Sequence, residues 1–284
     1  MQAFIECIPC IVRQTVEVAQ MATADNGLRL AAVRAALRLL ADVDPLKATA
    51  PELTALIHRQ LEKLLGTEDL YQVVKIKENQ QALDLYPQVE QLVEDADDRL
   101  EMALRVAILG NVIDYGAMIR FDLKDVLSKI TTLKFGIYDF PQFKADVMAN
   151  KKILYVGDNT GEIVFDKILV KELLALGCEV VYAVKSRPIL NDVTMVDAEV
   201  AGLCGLVEVI KSGSTTPGTL LAEASPEFLK AYARADFLIA KGQGNLETLD
   251  NIDKSVYFLL KMKCPYLARE LRVETGDLVL RYDI

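Results

Sequence analysis

The sequence predicts an α/β protein: a three-layer α/β/α domain with a mostly parallel sheet, plus an N-terminal all-helical domain. Three observations carry this reading. Apolar residues recur at three- and four-residue spacing from about residue 5 to 132, the period of an amphipathic helix. From about residue 150, short β-rich runs alternate with helical segments, the pattern of a parallel sheet covered on both faces. The chain has 284 residues, 52% of them hydrophobic and 26% charged, enough for one large domain or two modest ones with a sizeable core.

The elements follow in order. Helical spacing covers Cys10 to Met21, Leu28 to Leu40, Pro51 to Leu65, Tyr71 to Tyr86 and Pro87 to Gly110. Asp44-Pro45, Ala50-Pro51 and Tyr86-Pro87 read as helix starts, because proline fits the first turn, where no N–H is needed. Lys134 to Gln142, with Gly136 and Pro141, reads as a connection. The expected division is a helical domain over 1–145 and an α/β domain over 146–284 that holds metal and phosphate. The helices are rich enough in apolar positions to pack on the sheet. Strands are expected at Ile153–Val156, Glu179–Val184, Leu206–Ile210, Phe237–Ala240 and Tyr266–Arg269. Between them, helices are expected at Gly161–Leu176, Val193–Ala201, Pro217–Ala224, Pro226–Tyr232 and Leu246–Met262. Val273 to Tyr282, centred on Thr275-Gly276-Asp277, is expected to close the sheet as a strand pair.

Composition excludes several functions. A net charge of -9 opposes non-specific binding to nucleic acid. No apolar run is long enough to cross a bilayer, and Met1-Gln2-Ala3-Phe4-Ile5-Glu6 lacks the basic start of a signal peptide, so the cytoplasm is the expected compartment. Five cysteines do not read as a secreted disulfide framework. The single histidine, His58, lies in an amphipathic helical pattern and reads as a surface or core-edge residue. Without clustered histidines, a Ser-His-Asp triad and a His-rich zinc site both fail. Chemistry therefore falls to carboxylates, amides, lysines, hydroxyls and thiols.

In a parallel sheet the loops after the strands share one edge, where ligands bind. The first loop, Gly157-Asp158-Asn159-Thr160-Gly161-Glu162, and the second, which contains Asn191-Asp192, bring hard oxygen donors. Asp158, Asn159 and Asp192 make a partial shell for Mg²⁺ or Mn²⁺, although Asp and Asn in a turn also serve as plain helix caps. The third loop, Ser212-Gly213-Ser214-Thr215-Thr216-Pro217-Gly218, suits an anion at a helix start. It reads equally well as an ordinary connection. In the fourth, Lys241-Gly242-Gln243-Gly244-Asn245, a lysine ends an apolar strand and could neutralise a phosphoryl group, and Gly242 permits a sharp turn. No dinucleotide or P-loop fingerprint occurs. A phospho-aspartyl phosphatase needs a second Asp two residues after its nucleophile, where this chain has Thr160, so Asp158 suits a metal ligand better. Asn111 and Asp114 interrupt an apolar helix and either face the site or mark a helix end. Cys7 and Cys10, with Cys264 as a third thiol, could grip a metal, form a redox pair or simply be buried.

In their shared order these motifs resemble the metal-dependent damage-control phosphatases, a former domain of unknown function, over nearly the whole chain. The resemblance rests on Gly157-Asp158-Asn159-x-Gly161-Glu162 with Phe165-Asp166, Asn191-Asp192, Gly110-Asn111-x-x-Asp114, Ser212-Gly213 with Thr216-Pro217-Gly218, and Lys241-Gly242-Gln243-Gly244-Asn245. Cys7-x-x-Cys10 and Lys263-Cys264 look like marks of its short archaeal and bacterial branch. The resemblance implies a divalent metal on Asp158, Asn159 and Asp192, with Mn²⁺, Co²⁺ or Ni²⁺ preferred, and a small phosphorylated metabolite as substrate. It implies phosphate contact by Lys241; Glu162, Ser214, Asn111, Asp114 and Gly242 are expected around the substrate. Thr160 departs from the usual smaller residue without removing a ligand. Two other classes stay open at this stage: a non-catalytic metal or small-molecule binder, and a carboxyl methyltransferase, against which the missing Gly-rich first loop counts.

Overall fold

The computed structural model describes residues 1–44, 47–110, 130–149 and 151–284. Helices α1 (Cys7–Ala22), α2 (Asn26–Asp42), α3 (Ala50–Leu65), α4 (Gln72–Glu94) and α5 (Arg99–Leu109) come first. Local chemistry sets three of their starts. The Asp25 and Asp98 carboxylates accept from Leu28 N and Glu101 N, and Thr49 and Glu52 form a reciprocal capping box with Pro51 in the first turn. Tyr86-Pro87 does not start a helix, because Pro87 lies inside α4. Proline removes one helical hydrogen bond, but Val89 and Val93 beyond it are buried in the same core as Ala82 before it. That shared burial carries the helix through. Pro45 lies outside the described residues.

Among the described residues, seven strands form one sheet in the order β1-β7-β6-β5-β2-β3-β4. They are β1 (Phe135–Tyr138), β2 (Lys152–Val156), β3 (Glu179–Val184), β4 (Glu208–Lys211), β5 (Phe237–Lys241), β6 (Val256–Lys261) and β7 (Leu278–Asp283). Strands β6, β5, β2, β3 and β4 run parallel. β7 is antiparallel to β6, and β1 is parallel to β7. Further helices among the described residues are α6 (Phe140–Met148), α7 (Glu162–Ala175), α8 (Met195–Val200), α9 (Pro226–Arg234), α10 (Gly242–Leu249) and α11 (Pro265–Leu271).

Several expected elements are corrected. The helix expected over Leu246–Met262 ends at Leu249, and its second half is β6. Val256 to Leu260 are all within 1% of full burial, and a continuous buried run carries no period that separates helix from strand. Tyr266–Arg269, expected as a strand, lies in α11, with Pro265 in its first turn. The expected connection at 134–142 holds β1 and the start of α6, so the sheet begins before the expected boundary at 145. Pro217–Ala224 forms only a short 3₁₀ turn at Leu221–Glu223, and the C-terminal pair is the single strand β7.

Alternate strand residues feed two cores. Ile153, Tyr155, Tyr182, Ile239, Tyr257 and Leu259 pack with α4, α5, α6 and α7 on one face. Leu154, Val156, Ala183, Leu238, Ala240 and Phe258 pack with α9, α10 and α11 on the other. Helices α1, α2 and α3 bury a third cluster among themselves, including Ile11, Val18, Ala32, Ala36, Leu53, Ile57 and Leu61. Thus α4 and α5 serve as sheet-covering helices, while α1 to α3 keep a core of their own. No described helix is long and apolar enough to cross a membrane.

His58 on α3 is buried and stacks on Tyr71. Burial holds its pKa down at about 4. The unfolded chain, with a histidine near ~6.5, takes up more protons between those values. Its contribution is therefore intact above ~6.5 and falls by about 2 kcal/mol by pH 5. In melts at pH 7 and pH 5, His58→Leu is expected to lose less stability on acidification than the parent chain.

Candidate active site

The chain leaves the sheet's centre in both directions: β2 to β3 to β4 on one side, β5 to β6 on the other. Ligands of open α/β sheets bind at such a switch point, beyond the carboxyl ends of the strands. Here that point lies between β2, which ends at Val156, and β5, which ends at Lys241. Main-chain bonds then join the β2 and β3 loops. Val193 N donates to Asp158 O at 2.8 Å and Thr160 N to Asn191 O at 2.8 Å, and Asn159 and Asp192 form an isolated antiparallel bridge. Asp158, Asn159 and Asp192 are thereby set side by side. Gly242 follows β5 with a φ of +78°, and a Cβ there would overlap the Asp158 carboxylate. Only glycine lets the β5 turn approach so closely.

The side chains form one buried polar cluster. Asn159 Nδ2 donates to Asp158 Oδ2 and to Glu162 Oε1, both at 2.7 Å. Lys241 Nζ donates to Glu162 Oε2 at 3.0 Å and to Asp166 Oδ1 at 2.8 Å. Tyr155 and Tyr182 donate their hydroxyls to Asp166 at 2.7 and 2.8 Å. Lys185 Nζ lies 3.5 Å from Asp192 Oδ2 and donates to Gly218 O. Asp192 Oδ2 is buried and has no hydrogen-bond partner.

Charge is concentrated here. Burial raises the Asp158 carboxyl well above its ordinary range, and the neighbouring Glu162 and Asp192 charges add to this, while Lys241 and Lys263 pull the other way. Burial likewise raises Glu162, opposed by Lys241. Asp192 is pushed up to about 6 by burial, against the Lys185 charge. Burial pulls the Lys185 ammonium down. For Lys241 burial acts in the same direction, but Asp166 and Glu162 outweigh it and raise the ammonium. Three buried carboxyls crowd one corner, and positive charge there would relieve all of them.

Other expected site residues fall elsewhere. Ser214 Oγ donates to Glu223 Oε2 at 3.2 Å, and Thr215 N and Thr216 Oγ1 donate to the same carboxylate atom. The hydroxyl loop thus surrounds an acid of its own chain. Asn111 and Asp114 lie outside the described residues. Cys7, Cys10 and Cys264 are free thiols. Burial raises the Cys7 thiol, the Phe4 N–H opposes this, and the Glu247, Cys264 and Cys10 charges add to it. Among the described residues, no three His, Cys, Asp or Glu side chains form a metal cluster. The acidic corner must therefore draw on the Asn159 amide.

Sequence reasoning missed the supports that α4 provides. Glu78 Oε2 accepts from Thr160 Oγ1 at 2.6 Å and from Asn191 Nδ2 at 3.1 Å. Asn79 Oδ1 accepts from Gly161 N at 2.9 Å, and its Nδ2 donates to Asp197 at 2.9 Å. These bonds clamp both site loops. The signal was available: Lys75, Glu78 and Asn79 are in register with Ala82 on one helical stripe, which ordinarily holds apolar residues. Lys263 precedes Cys264 in the Lys263-Cys264 motif. Its neighbour Cys264 and its own N–H are held by Gln243 Oε1 at 3.1 and 2.7 Å, which ties it to the β5 turn.

Comparison with known proteins decides the family. The Damage-control phosphatase ARMT1-like domain matches residues 3–279. This chain belongs to that family. A damage-control phosphatase from Pyrococcus horikoshii is 38% identical over 282 residues, covering 98% of this chain and 97% of the relative. One from Archaeoglobus fulgidus is 32% identical over 281 residues, with 97% of each chain covered. A crystal structure of a DUF89 family protein from Pyrococcus horikoshii superposes with a TM-score of 0.90 at 36% identity, covering 100% of both chains. The damage-control phosphatase fold of this chain is therefore mixed α/β with a seven-stranded, mostly parallel sheet.

Proposed function

We propose that the protein is a metal-dependent phosphatase of small phosphorylated metabolites, with Asp158, Asn159 and Asp192 as the metal ligands. One observation carries the metal reading: Asp192 Oδ2 is buried without a hydrogen-bond partner, beside an Asp158 carboxyl raised by burial and by its acidic neighbours. A divalent cation there would relieve the crowding of carboxylates that the Lys185, Lys241 and Lys263 charges offset only in part. The donor set fits, since both N–H groups of the Asn159 amide are engaged by carboxylates and its Oδ1 can serve as a hard ligand beside the two aspartates. Such an ion, when bound, polarises a phosphoryl oxygen and acidifies a water.

The chain's own groups do the rest. Gly242 brings the β5 turn directly against the Asp158 carboxylate. Lys263 contributes positive charge to Asp158 and Glu162 and is a candidate partner for phosphate. Lys241 is less suited to touch substrate, because its ammonium is 1% exposed and held between two carboxylates. The helical domain over 1–145 selects the substrate, with α1 to α3, which keep a core of their own, as its outer part. Arg59 reaches Thr215 at 2.8 Å, and Arg187 pairs with Glu62, so α3 lies against the loops of the catalytic edge.

The test is phosphate release from a panel of phosphometabolites by metal-stripped protein, alone and with Mn²⁺, Co²⁺, Ni²⁺ or Mg²⁺. Release from sugar phosphates or related esters is expected only with added metal. Metal binding without release from any ester would favour a non-catalytic binder.

A further inference from the structure

We infer that Glu162 fixes which end of the Asn159 amide faces the metal, and that Tyr155, Tyr182, Asp166 and Lys241 hold Glu162 in place for that purpose. The inference rests on the metal reading above and adds a positioning role for five buried side chains.

The two ends of an asparagine amide have nearly the same shape, so its partners decide its orientation. A hard cation takes the oxygen and rejects the nitrogen. Carboxylates accept only, and two of them face Asn159. Glu162 Oε1 and Asp158 Oδ2 each take one N–H at 2.7 Å, which turns Oδ1 away from both. Asp158 is itself a proposed ligand and can move with the metal. Glu162 cannot, since it is 1% exposed and its Oε2 is tied to Lys241 at 3.0 Å.

Lys241 is fixed in turn. Its ammonium bonds Asp166 Oδ1 at 2.8 Å, and Asp166 is fully buried. Tyr155 and Tyr182 donate to its two oxygens at 2.7 and 2.8 Å, with their rings stacked 4.9 Å apart. Gly157 makes room for this layer, because a Cβ there would strike the Tyr182 ring. The order of support runs from the tyrosines to Asp166, Lys241, Glu162 and the Asn159 amide. On this geometry Glu162 and Lys241 are positioning residues and do not touch phosphate.

The test is calorimetric titration of Mn²⁺ into metal-stripped protein. Glu162→Gln should weaken binding by roughly 10–100-fold, the usual cost of losing an outer partner of a ligand, because a glutamine can accept or donate and no longer dictates the amide. The double variant Asn159→Asp with Glu162→Gln keeps the net charge and reverses the donor. The new amide donates to the new carboxylate, whose second oxygen faces the ion. Most of the lost affinity should return, a non-additivity that a purely structural role does not produce. Unchanged affinity in Glu162→Gln, or no recovery in the double variant, overturns the inference. If Glu162→Gln fails to fold, Tyr182→Phe replaces it. A smaller loss of affinity with unchanged circular dichroism supports the relay, and unchanged affinity overturns it. Absence of Mn²⁺ binding in the parent chain overturns the metal reading itself, and this inference with it.

Discussion

Asp158→Ala is expected to abolish metal-dependent phosphate release, lowering kcat/KM by at least ~10³-fold, since metal polarisation supplies several kcal/mol of the rate enhancement. The same change should leave the metal-free fold intact or raise its melting temperature. Asp158 is 9% exposed, and its charged form is disfavoured by burial and by the Glu162 and Asp192 charges. Removing it relieves that repulsion, a site where function and stability oppose each other. The measurements are phosphate release with added metal and thermal melting with chelator. Full activity in the variant would remove Asp158 from the site. A large drop in the metal-free melting temperature would show that it serves the fold.

Lys241→Met is expected to act on the opposite quantity. The side chain is almost fully buried and pairs with Glu162 at 3.0 Å and Asp166 at 2.8 Å. Methionine fills a similar volume but leaves two buried carboxylates without their cation. Breaking such a pair costs about 3–5 kcal/mol, or roughly 10 °C in melting temperature for a chain of this size. Denaturant unfolding of metal-free protein checks this directly. A loss of activity with unchanged stability would instead return Lys241 to direct contact with substrate.

These expectations show how much of the protein can be read from its residues. The edge loops were legible, because an apolar run into Gly157-Asp158-Asn159 ends β2 as an ordinary strand ends. Lys241 was legible as a charged residue closing a buried strand. Its partners were not, although Glu162 and Asp166 stand at i and i+4 on one face of α7. The contact between Asn159 and Asp192 depends on a main-chain bridge between loops, and no spacing in the sequence encodes it. For Glu78 and Asn79 the only signal is their place on the stripe of Ala82, and it is a weak one. Polar residues on a helix normally face solvent, and only the docking of α4 over the loops turns these two inward. β6 carries no strand period in the sequence because its buried residues leave no polar face to count.

The most direct test of the metal site is an anomalous difference map from crystals grown with Mn²⁺. The proposal predicts one strong peak bounded by oxygens of Asp158, Asn159 and Asp192. No peak at that corner, or a principal peak among Cys7, Cys10 and Cys264, would contradict it.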